Sequence, residues 1–308
     1  MNFFMPKLKL GTRFSKLALT QSQWVRQQLL SQFADLEIEL VKIATTGDKI
    51  QDRFLSTVGG KGLFIKEIEE ALLKGEVDFA VHSMKDVPMQ LAQGLCIAAV
   101  PPRESPRDVL ILRDVPEKVL ALPLRVGTSA LRRRVQLQRL YPHFQWILLR
   151  GNVDTRLRKL AEGEIDGIVL AQAGLKRLGE RPKHCLELPI IASPGQGALA
   201  LECRAADAIT LQYLKVMDDP IASLECQVER TIMSALQGDC QLPMGAHAVC
   251  QGDRVRLDAF VALPDGSQWV SAKKEGTQKD AIRLGEALAH DILSRGGKEV
   301  IAKLKTNL

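Results

Sequence analysis

The amino-acid sequence predicts an α/β protein with two similar domains, followed by a small α+β domain. Strand and helix patterns alternate through the first hundred residues, which is the order that produces a mostly parallel sheet. Short segments of this region recur in the middle of the chain, and the pattern changes after residue 219. The length of 308 residues is sufficient for two or three domains.

Two strand–helix pairs and a further strand define the predicted first domain. Leu8 and Leu10 indicate the first strand, and the apolar residues of the helix after it fall on one face. These helix residues are Leu17, Ala18, Trp24, Val25 and Leu29. Residues 37–44 indicate the second strand, residues 64–72 the second helix, and residues 79–81 the next strand.

An internal repeat predicts that the second domain has the plan of the first. Residues 9–12 (KLGT) are matched by residues 125–128 (RVGT), each at a strand end before a helix. Residues 75–81 (GEVDFAV) are matched by residues 163–169 (GEIDGIV), each between a helix and a strand. Chance similarity of two βα units is the alternative. Two similar α/β domains would form a cleft at the carboxyl ends of their strands, where such sheets bind ligands.

The remaining segments complete the predicted organisation. Residues 188–197 (LPIIASPGQG) form a crossover towards the first domain. Beyond residue 219 we expect a helix over 222–236, two strands over 255–263 and 268–273 joined by a turn at 264–266, and a final helix over 280–304. The predicted domains are residues 1–100 with a return segment at 198–218, residues 101–197, and residues 219–308.

The positive charge of the chain is concentrated in its middle. Net charge is +6, and residues 101–181 hold 13 Arg and 3 Lys against 9 acidic residues. Arginine is preferred where planar carboxylates or phosphates are bound by two parallel hydrogen bonds. A solvated basic face and a nucleic-acid surface are alternatives, but aromatic residues are sparse and no nucleic-acid-binding motif is present. A small polyanion is the third alternative, and the spacing of the arginines favours it.

Several classes of protein and site are not expected. No apolar stretch approaches the length of a membrane span, and the first residues do not form a signal peptide, so we expect a cytoplasmic protein without membrane association. The six cysteines form no C-x-x-C pair and the five histidines are isolated, so neither a disulfide framework nor a metal site is expected.

Arginines and hydroxyls follow the strand ends of the predicted second domain. Thr128 and Ser129 lead into a helix that begins with Arg132 and Arg133, and Arg150 and Arg156 follow the next strand. Any one of these arginines is more often a surface charge. Because successive strand ends of one parallel sheet meet at one edge, we expect the arginines to converge there.

Three further segments carry candidate functional residues. Residues 56–62 (STVGGKG) do not fit the phosphate-binding loop pattern and indicate instead a glycine-rich lid carrying Lys61. Lys85 and Asp86 follow a strand, where a carboxylate can stabilise a cationic intermediate; a salt-bridged turn is the alternative. Cys240 lies in a loop, which suggests a usable thiol, whereas the other cysteines lie in apolar or helical contexts.

These motifs together resemble the porphobilinogen deaminase (hydroxymethylbilane synthase) family over nearly the full length. The matching segments are residues 11–18 (GTRFSKLA), 59–64 (GGKGLF), 82–88 (HSMKDVP), 127–133 (GTSALRR), 149–157 (LRGNVDTRL), 173–179 (AGLKRLG), 195–198 (GQGA) and the loop around Cys240. The resemblance implies a transferase of tetrapyrrole and heme (porphyrin) biosynthesis. In such enzymes a dipyrromethane cofactor is attached to a cysteine by a thioether, and Cys240 matches that cysteine.

The resemblance also implies the reaction and the roles of the matching residues. Four porphobilinogen molecules are added head to tail with loss of ammonia, and hydroxymethylbilane is released by hydrolysis. Asp86 matches the catalytic carboxylate, which also contacts the cofactor. The other implied cofactor-binding residues are Lys85, Ser129, Arg132 and Arg133. The implied substrate-binding residues are Arg13, Ser15, Arg150, Arg156 and Arg177. We further expect a monomer whose product passes to uroporphyrinogen-III synthase.

Two positions depart from the family pattern, and one other class of protein fits the predicted fold. Asp239 replaces a usual glycine, and an acid there is expected to raise the pKa of the neighbouring thiol and slow cofactor assembly. Ala130 replaces a frequently hydroxylic residue, with little expected effect. Two α/β domains of the periplasmic-binding-protein type, around a cleft, also describe a solute-binding module. Such a module would leave the third domain and the loop cysteine without a purpose.

Overall fold

The computed structural model describes residues 6–46, 65–115, 120–238 and 242–306. These residues form two five-stranded sheets and one three-stranded sheet. The predicted fold class, two similar α/β sheets with a small α+β part at the C-terminus, is confirmed. The chain divides into two compact units: unit 1 is Met1–Glu104 with Ala198–Ser223, and unit 2 is Ser105–Gly197 with Leu224–Leu308. The division into three domains at the predicted boundaries stays a prediction.

The regular elements are numbered here in chain order. The strands are β1 (Lys7–Thr12), β2 (Glu37–Lys42), β3 (Phe79–Ser83), β4 (Leu95–Ala99), β5 (Asp108–Leu112), β6 (Arg125–Gly127), β7 (Gln145–Ile147), β8 (Gly167–Ala171), β9 (Cys185–Leu188), β10 (Leu199–Arg204), β11 (Met244–Gln251), β12 (Arg254–Ala262) and β13 (Trp269–Thr277). The α-helices are α1 (Lys16–Gln32), α2 (Lys66–Leu73), α3 (Leu131–Leu140), α4 (Val153–Ala161), α5 (Gln172–Leu178), α6 (Ala208–Lys215), α7 (Pro220–Ala235), α8 (Ala281–Ile292) and α9 (Lys298–Thr306).

The sheet of unit 1 has the strand order β2-β1-β3-β10-β4. Strands β1, β2 and β3 are parallel, and β10 runs antiparallel to both of its neighbours. Leu10, Phe79 and Leu201 from three of these strands are fully buried against Leu29 of α1. Burial of this apolar surface is the main stabilising contribution to the unit. Consequently the ends of β1 and β3 are held at a fixed edge.

The sheet of unit 2 repeats that arrangement with the order β7-β6-β8-β5-β9. Strands β6, β7 and β8 are parallel, and β5 is antiparallel to β8 and β9. The repeated sequence segments make the same hydrogen bonds. Asp78 accepts from the backbone N–H of Lys9 at 2.7 Å, and Asp166 accepts from that of Arg125 at 2.9 Å. The predicted internal repeat is therefore present in both topology and local geometry.

The C-terminal part of unit 2 supports the helix that carries two of the candidate arginines. Strands β11, β12 and β13 form an antiparallel sheet in that order. Val135 of α3 packs against Phe260 of β12 in a buried cluster. The guanidinium of Arg139, also on α3, lies 4.9 Å from the ring centroid of Trp269. These contacts fix the orientation of α3.

Two details of the C-terminal region differ from the sequence prediction. The single final helix is wrong, because α8 and α9 are separated by a turn at Leu293–Gly297 in which Gly296 has φ 105°, a conformation that favours glycine. Strand β11 was not predicted. Within the residues that the structure describes, no helix combines the length and apolarity needed to span a bilayer.

Candidate active site

The candidate residues of unit 1 meet at one edge of its sheet. Arg13 and Ser15 follow β1, while Lys85 and Asp86 lie in a single 3-10 turn, Met84–Asp86, that follows β3. Because β1 and β3 are adjacent and parallel, both pairs lie at the carboxyl edge. Arg13 and Lys85 are half-buried, and Asp86 is exposed. The carboxylate of Asp86 is therefore accessible to a substrate.

The turn that carries Lys85 and Asp86 is held by hydrogen bonds on both sides. The Met84 N–H donates to the carbonyl oxygen of Ala198 at 3.0 Å, and the Met84 side chain is buried. The Gln21 side-chain amide of α1 donates to the Ser83 hydroxyl at 3.1 Å. Ser15 caps α1 by accepting from the Ala18 N–H at 3.3 Å. The functional edge of unit 1 is thus positioned by both strand pairing and the start of α1.

The candidate residues of unit 2 converge in the same way. Ser129 follows β6 and Arg150 follows β7, and these strands are parallel neighbours. Arg156 of α4 donates from Nε to the carbonyl oxygen of Gly151 at 2.8 Å, and its terminal nitrogen lies 3.5 Å from Ser129 Oγ. Gly151 has φ 108°, and a Cβ there would lie 2.9 Å from the side chain of Thr155. A glycine is therefore required for the chain to turn from Arg150 into α4.

The positive charges around Arg156 act on one another. Burial lowers the pKa of Arg156 to about 10, and the charges of Arg133 and Arg150 act in the same direction. At neutral pH the guanidinium of Arg156 therefore remains protonated. No carboxylate in the described part of the chain forms an ion pair with Arg156. This is a half-buried cation whose electrostatic environment favours an external anion.

Arg132 and Arg133, in contrast, are buried and share one carboxylate. Arg132 lies 2.8 Å from Asp108 Oδ2, and the Nε and a terminal nitrogen of Arg133 lie 2.9 and 2.8 Å from Asp108 Oδ1. Arg132 donates one further hydrogen bond to the carbonyl oxygen of Ile191, and Arg133 donates one to that of Val169. Sequence analysis missed Asp108, which begins the apolar strand β5. The sequence signal that could have identified it is an acidic residue at the first position of an otherwise apolar strand.

The loop at 194–197 also contacts Asp108. The Gln196 amide donates to Asp108 Oδ1 at 3.0 Å and to the carbonyl oxygen of Pro106 at 2.6 Å. Arg177 of α5 donates to the carbonyl oxygen of Gly197 at 2.6 Å. Arg177 is therefore placed beside this loop, while Arg150, Arg156 and Ser129 form the group at the strand ends.

Four further sequence predictions concern Lys61, Asp239, Cys240 and Ala130. Lys61, Asp239 and Cys240 lie outside the described residues, so their roles stay predictions. Ala130 is the N-cap residue of α3 and has no side-chain acceptor, but the Thr128 hydroxyl accepts from the Ala130 N–H at 3.2 Å. Cys185 is exposed on β9, so exposure alone does not distinguish Cys240 from the other cysteines.

The chemistry of the donor set fits a polycarboxylate. Arg132 and Arg133 share the carboxylate of Asp108, and the charges of Arg133 and Arg150 act on Arg156, which forms no ion pair with a carboxylate among the described residues. Guanidinium groups bind carboxylates through paired hydrogen bonds. A dipyrromethane bearing acetate and propionate groups matches this surplus of positive charge.

Comparison with known proteins gives the family of the chain. The family model described as "Porphobilinogen deaminase, dipyromethane cofactor binding domain" matches residues 8–212, and "Porphobilinogen deaminase, C-terminal domain" matches residues 223–294. Porphobilinogen deaminase of Geobacter sulfurreducens is 44% identical over 97% of this chain and 95% of its own length. That of Brevibacillus brevis is 46% identical over 97% of this chain and 98% of its own length.

A solved structure adds a more distant similarity. The periplasmic aliphatic sulphonate binding protein SsuA from Escherichia coli is 14% identical, with a TM-score of 0.36 over 65% of this chain and 61% of that chain. The two family models match residues of both units, and the two relatives align over 97% of this chain. On this evidence the chain belongs to the porphobilinogen deaminase family.

Proposed function

We propose that this chain joins porphobilinogen molecules head to tail, with loss of ammonia, and releases hydroxymethylbilane by hydrolysis. As a member of its family the chain is a transferase of tetrapyrrole biosynthesis with a dipyrromethane cofactor-binding domain. The observation that carries the proposal is the group of arginines in unit 2, in which Arg132 and Arg133 share the carboxylate of Asp108 and the charges of Arg133 and Arg150 act on Arg156. A growing tetrapyrrole gains two carboxylates with each unit, which gives this surplus of charge a physical reason. The family assignment replaces the alternative of a solute-binding module.

We assign cofactor binding to five of the candidate residues. Cys240 would carry it through a thioether, and its carboxylates would be held by Ser129, Arg132, Arg133 and Lys85. When bound, the dipyrromethane supplies the primer to which the first porphobilinogen is joined. The buried arginines suit this role because their guanidiniums are already held in place by hydrogen bonds to the carbonyl oxygens of Ile191 and Val169. An oriented donor loses little freedom when it binds a carboxylate.

We assign the incoming substrate to the remaining basic residues. Arg13 and Ser15 at the edge of unit 1, and Arg150, Arg156 and Arg177 of unit 2, would bind acetate and propionate groups. Asp86 would stabilise positive charge that develops when ammonia leaves, since a carboxylate aimed at the pyrrole N–H offsets that charge where it forms. The assignment of Lys61 to a lid stays a proposal.

The direct test of this function is product formation. The purified chain, incubated with porphobilinogen, should release ammonia and hydroxymethylbilane in a ratio of four to one, because four units enter each product molecule. A chain that binds porphobilinogen without releasing ammonia would contradict the proposal. We also propose a cytoplasmic monomer whose product passes to uroporphyrinogen-III synthase. Size-exclusion chromatography with light scattering tests the monomer.

Replacing Arg156 tests the carboxylate anchors. Arg156→Gln is expected to raise the KM for porphobilinogen about 10- to 100-fold, because a charge-assisted hydrogen bond contributes about 1.5–3 kcal/mol. The melting temperature should not fall, since Arg156 is repelled by Arg133 and Arg150 in the absence of an anion. Steady-state kinetics and thermal denaturation measure the two effects.

The same helix provides a control for this substitution. Arg158 lies two residues further on, is 60% exposed at its side chain and pairs with Glu162 at 2.8 Å. Arg158→Gln should leave KM within a factor of about two, because an exposed i,i+4 pair contributes only about 0.3–0.5 kcal/mol. Equal KM values for the two variants would show that Arg156 does not bind substrate.

A further inference from the structure

Asp108 is the buried centre of the arginine network, and none of the roles assigned above includes it. The residue is 1% exposed at the start of β5. Its Oδ1 atom accepts from Arg133 and from Gln196, and its Oδ2 atom pairs with Arg132. Both arginines are consecutive in the first turn of α3, where their side chains would otherwise diverge by about 100° around the helix. One carboxylate therefore draws two neighbouring guanidiniums to the same point.

The contacts of Arg132 and Arg133 leave donors available. A guanidinium has five N–H groups. Arg133 uses three of them on Asp108 and on the carbonyl oxygen of Val169. Arg132 uses three at most, on Asp108, Gln196 and the carbonyl oxygen of Ile191. Each arginine thus keeps two N–H groups whose direction is fixed by the bonds already made.

Arg133 also connects this buried pair with the arginines at the strand ends. Its charge acts on Arg156, as does that of Arg150. Like charges repel one another, and the carboxylate of Asp108, 2.8 Å from Arg133, offsets part of this repulsion. Asp108 therefore stabilises Arg133 in its observed position.

We propose that Asp108 is a positioning residue that holds Arg132 and Arg133 in the geometry needed to bind the pyrrole carboxylates. This inference rests on the proposed function. Asp108 does not touch the cofactor or the substrate; it acts through the two guanidiniums. Gln196 completes the arrangement, because its amide group contacts both Asp108 and Arg132.

The sign of the effect distinguishes positioning from charge alone. Asp108→Asn removes a negative charge, so a purely electrostatic role predicts tighter binding of an anionic substrate. The positioning role predicts weaker binding, because the arginines lose the acceptor that orients them. We expect the KM of the loaded enzyme, and the dissociation constant of porphobilinogen measured by calorimetry in a Cys240→Ser background, to rise about tenfold or more. Asp108→Glu, which keeps the charge, should recover part of this loss.

A matched control lies at the opposite edge of the same sheet. Asp166 pairs with Arg125 at 3.0 Å and is remote from the strand ends that carry Ser129 and Arg150. Asp166→Asn should lower stability somewhat and leave both constants unchanged. Asp108→Asn with unchanged or tighter porphobilinogen binding would overturn the inference.

A double-mutant cycle tests whether Asp108 acts through Arg133. In an Arg133→Gln background, Asp108→Glu should change porphobilinogen binding much less than it does in the Cys240→Ser chain alone, since interacting residues are not additive. Full additivity would overturn the inference. If Asp108→Asn does not fold, the Asp108→Glu arm of the cycle still decides it. The proposed function fails separately, if the wild-type chain neither carries the cofactor mass nor releases ammonia.

Discussion

Cys240→Ser is expected to abolish turnover and to lower the intact mass of the purified chain by two linked pyrrole units. The thioether proposed at this position requires a sulfur nucleophile, and a serine hydroxyl, which is a far weaker nucleophile at neutral pH, cannot replace it. Without the covalent primer, no growing chain would remain attached to the enzyme. Intact-mass spectrometry and ammonia release measure the two consequences on the same samples.

Cys185 provides the control for this experiment. It is exposed on β9, and no role is assigned to it. Cys185→Ser should keep both the added mass and the turnover. A mass increment that persists in Cys240→Ser would show that the cofactor is attached elsewhere. Porphobilinogen binding in Cys240→Ser should persist, because the arginines that would bind its carboxylates are unchanged.

The duplicated sheet was predictable from sequence because equivalent residues of the two repeated segments make the same local hydrogen bonds. Asp78 and Asp166 each follow a helix and each accept a hydrogen bond from the first parallel strand of their own sheet. The geometry depends on residues close together in a short motif. Periodicity and motif spacing therefore contained enough information for the parallel strands of both sheets, but not for the antiparallel strands β5, β9 and β10.

The convergence of Ser129, Arg150 and Arg156 was predictable for a related reason. Parallel neighbouring strands end at one edge, so residues that follow β6 and β7 must approach one another. The role of Asp108 was not predictable in this way. It comes from an antiparallel strand elsewhere in the sheet, and charged residues are by default expected at the surface. Only the folded chain shows that Arg132 and Arg133 turn inward to reach it.

The missed elements of the C-terminal region have a similar explanation. Strand β11 contains glycine, alanine and histidine, residues with weak preference for strands, and it forms because all eight of its residues pair with β12. The break between α8 and α9 depends on the positive φ of Gly296, and an isolated glycine near a helix end does not by itself predict a break. Strand β11 therefore depends on pairing with β12, and the helix break depends on one backbone angle, and neither can be read from local sequence.

Asp86→Asn is expected to slow the release of ammonia about 10²–10³-fold, the usual effect of removing one aimed electrostatic partner. Loss of ammonia from porphobilinogen leaves positive charge on the pyrrole unit. Asp86 lies at the carboxyl edge of the unit 1 sheet, and its carboxylate can offset that charge where it develops. Asparagine keeps the size of the side chain and removes the charge. Asp86→Glu keeps the charge but displaces it, and should retain more activity than asparagine.

The measurement is single-turnover ammonia release by enzyme whose cofactor content has been confirmed by intact mass, so that a loading defect is not mistaken for slow chemistry. Asp35 supplies the control: it is exposed and precedes β2, at the amino edge of the same three parallel strands. Asp35→Asn should release ammonia at the wild-type rate. Because Asp86 is exposed, its replacement should leave the melting temperature unchanged, which separates an effect on chemistry from one on folding. A wild-type rate for Asp86→Asn would leave Asp86 as a turn residue, and the stabilisation of the cation would have to come from another group.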